Sequence, residues 1–365
     1  MQWQSLSQKS FRHEASIAVD AARSPVREQP ATISERRRAA ADPARRKLTI
    51  LISSAGRRVG LMECFRSDAA ELDIDLDIIA IDVLPDISPA CHLANAAFSV
   101  PPCTAQDFVD SVHSICFANA VELVVPTIDP ELDVLSRHKS RFAEIGTELA
   151  LSSPGLVRLA SDKLETAHFL AAAGIPVPRT AAFNREIFDA ADWKWPLILK
   201  PRIGSASRGA MVVNCPEAVP HSQIAEDYIV QEYMRGEEYT VNVFFDRQEQ
   251  LCCAIPHVRR EVRAGEVSKG TTRRHARLER IAHRLAEVLP SPRGALCFQA
   301  IATDDERVGI FEINARFGGG FPLAHAAGAR FSQWLLQEAA GLPSAANNAW
   351  REGVTMLRYD AAVFC

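Results

Sequence analysis

The stretch Val308-Gly-Ile-Phe-Glu312-Ile-Asn314-Ala-Arg316 alternates in polarity. As a strand it sets Glu312, Asn314 and Arg316 on one face and Phe311, Ile313 and Ala315 on the other. Ala295-Leu-Cys-Phe-Gln299-Ala-Ile-Ala precedes it across Thr303-Asp-Asp-Glu-Arg307, so the pair reads as a β-hairpin. A turn centred between Asp305 and Glu306 places Gln299 opposite Glu312, with Cβ atoms about 5 Å apart. One carboxylate and two amide oxygens then converge, a hard-oxygen set suited to Mg²⁺. Arg316 beside them suits a transferring phosphoryl group. The competing reading is a solvated polar face on an edge hairpin.

Two separated lysines form a second set. Lys163 follows an acidic residue at the start of a helix, and Lys200 ends the apolar run Leu197-Ile-Leu199 before Pro201. Isolated lysines are ordinarily solvated. Here, however, Gly204-Ser205-Ala-Ser207-Arg-Gly209 follows directly, a small, flexible loop rich in backbone donors of the kind that covers phosphates. No G-x-x-x-x-G-K-[ST] occurs, which excludes a P-loop.

The elements that must position these residues can be read from periodicity. Leu48–Ser53, Ile78–Asp82 and Leu123–Pro126 read as short buried strands with helical stretches such as Gln106–Asn119 between them. That alternation predicts a parallel sheet over residues 47–150. One glycine in Ser54-Ala-Gly56 is too few for a dinucleotide fingerprint, although the strand-to-helix turn with Arg57 and Arg58 could still hold an anion. Asp162–Ala173 predicts a helix closed by Gly174. Strands follow near residues 196–200, 210–213 and 229–234. In Glu237–Phe245, Glu238, Thr240 and Asn242 share one face.

The bulk numbers narrow the classes. The chain has 365 residues, 47% hydrophobic, 24% charged and a net charge of −4, enough for two or three domains and without the basic balance that nucleic acid or an anionic membrane would favour. No apolar run approaches the roughly 20 residues of a membrane span. Nine cysteines, an odd number with no C-x-x-C pair, point to a reducing compartment, and the expected location is cytoplasmic. Residues 1–46 contain Arg36-Arg37-Arg38 but also Glu14, Asp20, Glu28, Glu35 and Asp42. They read as a disordered extension rather than a targeting peptide.

Taken in order, these segments resemble the ATP-grasp superfamily, in particular members that look like half of the carbamoyl-phosphate synthase large subunit. The resemblance covers about residues 48–365 and includes the opening Ser53-Ser-Ala-Gly-Arg-Arg58, typical of the group. It implies an α/β and α+β architecture. A Rossmann-like (pre-ATP-grasp) parallel sheet over 47–150 would precede a two-lobed ATP-grasp fold, with linker helices and small lobe over 151–235 and large lobe over 236–365. Lys163 and Lys200 would contact ATP phosphates, Gly204, Ser205, Ser207 and Gly209 would belong to the lid, and Gln231, Glu232, Tyr233 and Met234 would form the hinge against adenine. Glu238 would bind ribose, Gln299, Glu312 and Asn314 would hold two Mg²⁺ or Mn²⁺ ions, and Arg316 would steady the transferring phosphoryl group. Arg263 and Lys269, in a loop that usually borders the reacting centre, are the remaining catalytic candidates. Gln299 departs from the acid found in many members, although carbamoyl-phosphate-synthase-like members use Gln there.

The implied activity is an ADP-forming carboxylate–amine ligase working through an acyl phosphate. Its partners would be small-molecule acids and amines, an amino acid being the default, with no nucleic acid and no membrane, and a homodimer is possible. A bicarbonate-dependent carboxylase, a carbamoyl-phosphate-type enzyme, a kinase or a non-catalytic nucleotide-binding module are the alternatives. The chain closes soon after Met356–Asp360 without the further domain of biotin carboxylases, which sets the ligase first.

Overall fold

The structure, a computed structural model, describes residues 45–184, 192–204, 208–219 and 227–365. The expected extension lies almost wholly outside them, as do the lid candidates Ser205 and Ser207. Five strands, β1 (Arg46–Ser53), β2 (Ile74–Asp82), β3 (Ala96–Ser99), β4 (Leu123–Pro126) and β5 (Glu148–Leu149), form a parallel sheet in the order β3-β2-β1-β4-β5. Helices α1 (Val59–Glu71), α2 (Pro89–Leu93), α3 (Phe108–Ala118), α4 (Asp129–Ser136) and α5 (Lys139–Ala143) connect them. Ile50, Leu51 and Ile52 are all fully buried, as expected of a strand covered on both faces.

The order reverses between β1 and β4, so the loops that follow these two strands lie side by side at their carboxyl ends. Buried Glu131 clasps them: it accepts from Ser53 Oγ (2.6 Å), Ser54 Oγ (2.7 Å) and the Thr127 N–H (2.7 Å). Burial raises its carboxyl, and these hydrogen bonds oppose the shift.

Helices α6 (Pro154–Ser161) and α7 (Lys163–Ala172) follow. Asp162 caps α7 by accepting from the Leu164 and Glu165 N–H groups, and Gly174 with φ +67° ends it, within a residue of the sequence expectation. An antiparallel four-stranded sheet comes next: β6 (Thr180–Ala182), β7 (Leu197–Pro201), β8 (Met211–Val213) and β9 (Tyr228–Glu232), ordered β6-β9-β7-β8. Its own core is Leu197, Leu199, Val213, Val219 and Val230.

The last sheet contains β10 (Gly236–Phe245), β11 (Leu251–Arg263), β12 (Glu266–Thr272), β13 (Gly294–Thr303), β14 (Val308–Asn314) and β15 (Thr355–Leu357), ordered β14-β13-β10-β11-β12-β15. Helices α8 (Ala276–Val288), α9 (Phe321–Ala326) and α10 (Phe331–Ala339) accompany it. This lobe and the first sheet share one core, threaded by Phe65–Phe317, Phe317–Phe321 and Phe321–Phe331 ring contacts at 6.1, 4.7 and 5.3 Å. Buried Asp68 on α1 adds a polar clasp to Arg330, Ser332 and His325. No described helix is long and apolar enough to cross a membrane.

Gln299 pairs with Glu312, as the alternation predicts, but by a different route. Ala300↔Ile310 and Ala302↔Val308 centre the turn on Asp305, and a bulge between Gln299 and Ala300 restores the pairing. Phe311 is the extra residue. It therefore lines the same cavity as Glu312 rather than the opposite face, which corrects the simple period-two reading.

Candidate active site

A cleft of about 640 Å³ lies where the two lobes meet the loops of the first sheet. From the small lobe, β7 ends in Lys200, which is buried and donates to Gln231 Oε1 at 2.8 Å on neighbouring β9. Gln231 in turn donates to Thr180 Oγ1 at 2.8 Å. Burial brings the Lys200 ammonium down to about 8; the Glu312 carboxylate resists, while Lys163 adds to the fall. Lys163, at the start of α7, donates to the Gly204 carbonyl at 2.6 Å and is likewise lowered by burial.

The large lobe supplies the opposing wall. Among the described residues, no hydrogen bond reaches the side chains of Gln299 or Glu312. Burial raises the Glu312 carboxyl while Lys163 and Lys200 pull it down. Asn314 Oδ1 accepts from Arg316 Nη2 at 3.0 Å, and the same nitrogen bonds Asp129 Oδ2 at 2.7 Å. Among the described residues, Arg316 Nε is buried without a partner. Burial would lower this guanidinium, but Asp129, Cys297 and Glu312 together outweigh it and the net shift is upward.

Beyond Arg316 the first sheet reaches in. Arg58 donates to Glu266 Oε1 at 2.9 Å and to the Thr127 carbonyl at 3.1 Å, and Arg358 pairs with the other Glu266 oxygen at 2.7 Å. Gly319 packs against this side chain: a Cβ there would fall 2.6 Å from the Glu266 carboxyl carbon and displace it. Glu238 is ion-paired at 2.7 Å with Arg259, which also donates to Thr240 Oγ1 at 3.2 Å.

Lys163, Lys200, Gly204, Gln231, Glu232, Tyr233, Met234, Glu238, Gln299, Glu312, Asn314 and Arg316 therefore line one cleft. Gly209 packs beside it, where a Cβ would meet Tyr228 Oη at 2.8 Å. Arg263 and Lys269 are not brought in. Both pair with Glu261, at 2.8 and 2.6 Å, on the exposed end of the β11–β12 hairpin. Sequence reasoning gave Arg58 only a part in an anion-holding turn and named no role for Asp129, Arg259 or Glu266, and it turned Phe311 the wrong way. The acid three residues after β4 was the available signal for Asp129.

No group of three or more His, Cys, Asp or Glu converges among the described residues. A cation here would need amide oxygens, which Gln299 and Asn314 offer beside Glu312. The Glu312 carboxylate and the Gln299 oxygen, with Asn314 Oδ1 shared with Arg316, face a space large enough for phosphate and fit Mg²⁺.

Two family models match the chain: a PylC-like N-terminal domain over residues 50–150 and an ATP-grasp domain over residues 160–320. A carbamoyl-phosphate synthase of Methanobrevibacter smithii is 26% identical over 140 residues, which is 37% of this chain and 38% of that protein. The match thus spans well under half of that relative. Among solved structures, the biotin carboxylase domain of Hydrogenobacter thermophilus 2-oxoglutarate carboxylase, in complex with MgADP, ADP and bicarbonate, superposes with a TM-score of 0.66. It is 15% identical and covers 84% of this chain and 73% of its own. An L-amino acid ligase from Bacillus licheniformis gives 0.64 at 15% identity, with 84% and 78% covered. An N5-carboxyaminoimidazole ribonucleotide synthetase from Thermotoga maritima gives 0.60 at 17%, with 83% and 78% covered. At these identities the likeness is one of fold.

Proposed function

We propose, on the premise that this chain belongs to the ATP-grasp superfamily, that it joins a small carboxylic acid to an amine with release of ADP and phosphate. One observation carries the reading: lysines from two elements and the Gln299–Glu312–Asn314–Arg316 face border a single cleft. Lys163 and Lys200 neutralise the triphosphate of ATP, Gln231–Met234 meet the base, and Glu238, held by Arg259, meets the ribose. Gln299, Glu312 and Asn314 would hold Mg²⁺ or Mn²⁺, which when bound supplies charge neutralisation at the phosphates.

The acid's carboxylate attacks the γ-phosphorus and the bond to ADP breaks, leaving an acyl phosphate. Arg316, whose Nε has no partner among the described residues, donates to the oxygens on which negative charge grows. The amine then adds to the acyl carbon, phosphate departs and nitrogen loses its proton. The inner end of the cleft carries both signs, Arg58 and Arg316 against Asp129 and Glu266, which supports an amino acid as one substrate. With Mg²⁺, ATP and pairs of amino acids, ADP should accumulate together with a product whose mass equals the two acids less water. AMP and pyrophosphate would refute the reading. A second reading, a carboxylase, draws support from the biotin carboxylase likeness and would show as turnover that needs bicarbonate.

A further inference from the structure

Behind the Glu232–Met234 segment lies a second cavity of about 460 Å³. Among the described residues, four guanidinium groups line it, Arg277, Arg280 and Arg284 from α8 and Arg307 from the β13–β14 turn, against one carboxylate, Glu232. The chain as a whole is acidic, at −4, so this concentration is not background. Leu278, Ile281, Ala282 and Leu285 bury the adjoining side of α8 and fix its rotation, with Ile281 at the border of the cavity. Positions 277, 280 and 284 then fall on one stripe at spacings of three and four, where like charges destabilise a helix. A stripe that weakens its own helix is explained when a ligand uses it.

The arginines are only partly engaged. Arg284 donates to the carbonyls of Ala173 at 2.7 Å and Gly174 at 3.0 Å, and Arg277 meets Glu306. Arg307 bridges Asp305 and Glu232, both at 3.1 Å. Arg280 has no hydrogen bond or ion pair among the described residues.

We propose that this cavity binds a small molecule carrying two or more negative charges, as phosphates or carboxylates, and that its occupation is felt in the cleft through Arg307 and Glu232. Glu232 and Met234 line both spaces. An anion that takes Arg307 leaves the Glu232 carboxylate uncompensated beside the cleft and weakens a polyanion there. This coupling rests on the ATP reading; the anion site itself does not.

The test titrates citrate and, separately, pyrophosphate into the full chain and into two variants, with binding read by calorimetry. Lys200→Ala removes the cleft's phosphate lysine and Arg280→Glu reverses the unpaired cation of the cavity, with Arg280→Gln as a milder check on folding. Saturable binding should persist in Lys200→Ala and weaken about tenfold or more in Arg280→Glu. The tighter of the two probes on the Lys200→Ala background identifies the anion's chemistry. Saturating probe should weaken ATP binding to the wild type about fivefold or more. No saturation, or binding that is lost with Lys200→Ala but kept in Arg280→Glu, overturns the site. Bound probe with unchanged ATP affinity overturns the coupling, whereas probe binding without any ATP binding sinks the ATP reading instead.

Discussion

The small lobe and the large lobe hold opposite walls of one cleft on different foundations. Lys200 and Gln231 stand on a four-stranded sheet whose core is Leu197, Leu199, Val213, Val219 and Val230. Glu312, Asn314 and Arg316 stand on a six-stranded sheet whose core runs on into the first domain through Phe244, Phe317, Phe331 and Trp334. Core area removed from water scales with the apolar residues buried, so the second foundation is the stiffer. Metal-type ligands need tight geometry, whereas a lysine reaches a phosphate as a point charge on a flexible stem. Each wall thus has the support that the proposed chemistry would demand.

The comparison breaks most decisively at Glu312. Its carboxylate serves the cleft rather than the core, so Glu312→Ala should cut ADP release by about 10³-fold while the melting curve stays close to wild type. A large fall in melting temperature instead would mean that the carboxylate belongs to the framework of the stiff wall.

How much of this was legible differs by wall. Alternation put Asn314 and Arg316 on the side of Glu312, while the pairing of Gln299 with Glu312 came from a turn placed between Asp305 and Glu306 and holds only because the bulge offsets the true centre at Asp305. The bulge at Phe311 was not legible, since an inserted residue leaves no mark in polarity. Irregular register at Arg259/Glu261 and Glu261/Val262 similarly disconnects sequence position from direction along β11, and Arg263 and Lys269 end on Glu261 outside the cleft. Asp129 and Arg58 arrive through a reversal of strand order in a parallel sheet, a long-range event that local patterns do not encode. The aromatic thread that joins the first sheet to the large lobe is equally non-local.

Core truncations sharpen the comparison at the next scale. Trp334→Ala should cost about 3–5 kcal/mol and Leu199→Ala about 2–5 kcal/mol by chemistry alone. The consequences should differ in extent. Trp334, buried against Phe244 and Phe331, should lower the main unfolding transition. Leu199 can cost no more than the small lobe's own stability, so its effect should appear as faster hydrogen exchange confined to β6–β9. Equal loss of protection across both sheets in Leu199→Ala would show that they unfold as one unit.

The smallest effect separates the two walls by charge. Lys200 is brought from 10.5 to about 8, first by burial, with Lys163 adding to the fall and Glu312 and Glu238 opposing it. Between those values the unfolded chain holds the proton and the folded chain does not, so stability gained from this group rises with pH from about 8 towards 10.5. A polyanion in the cleft needs the opposite state, the ammonium, and should draw a proton on binding. Nucleotide affinity should therefore fall by up to tenfold per pH unit above about 8 while the fold gains. Calorimetry at pH 8.5 in buffers of different ionisation enthalpy should register proton uptake on ATP binding in the wild type, and less in Lys200→Met. The same uptake in both would assign it to Lys163, also lowered by burial, and leave Lys200 charged before the nucleotide arrives.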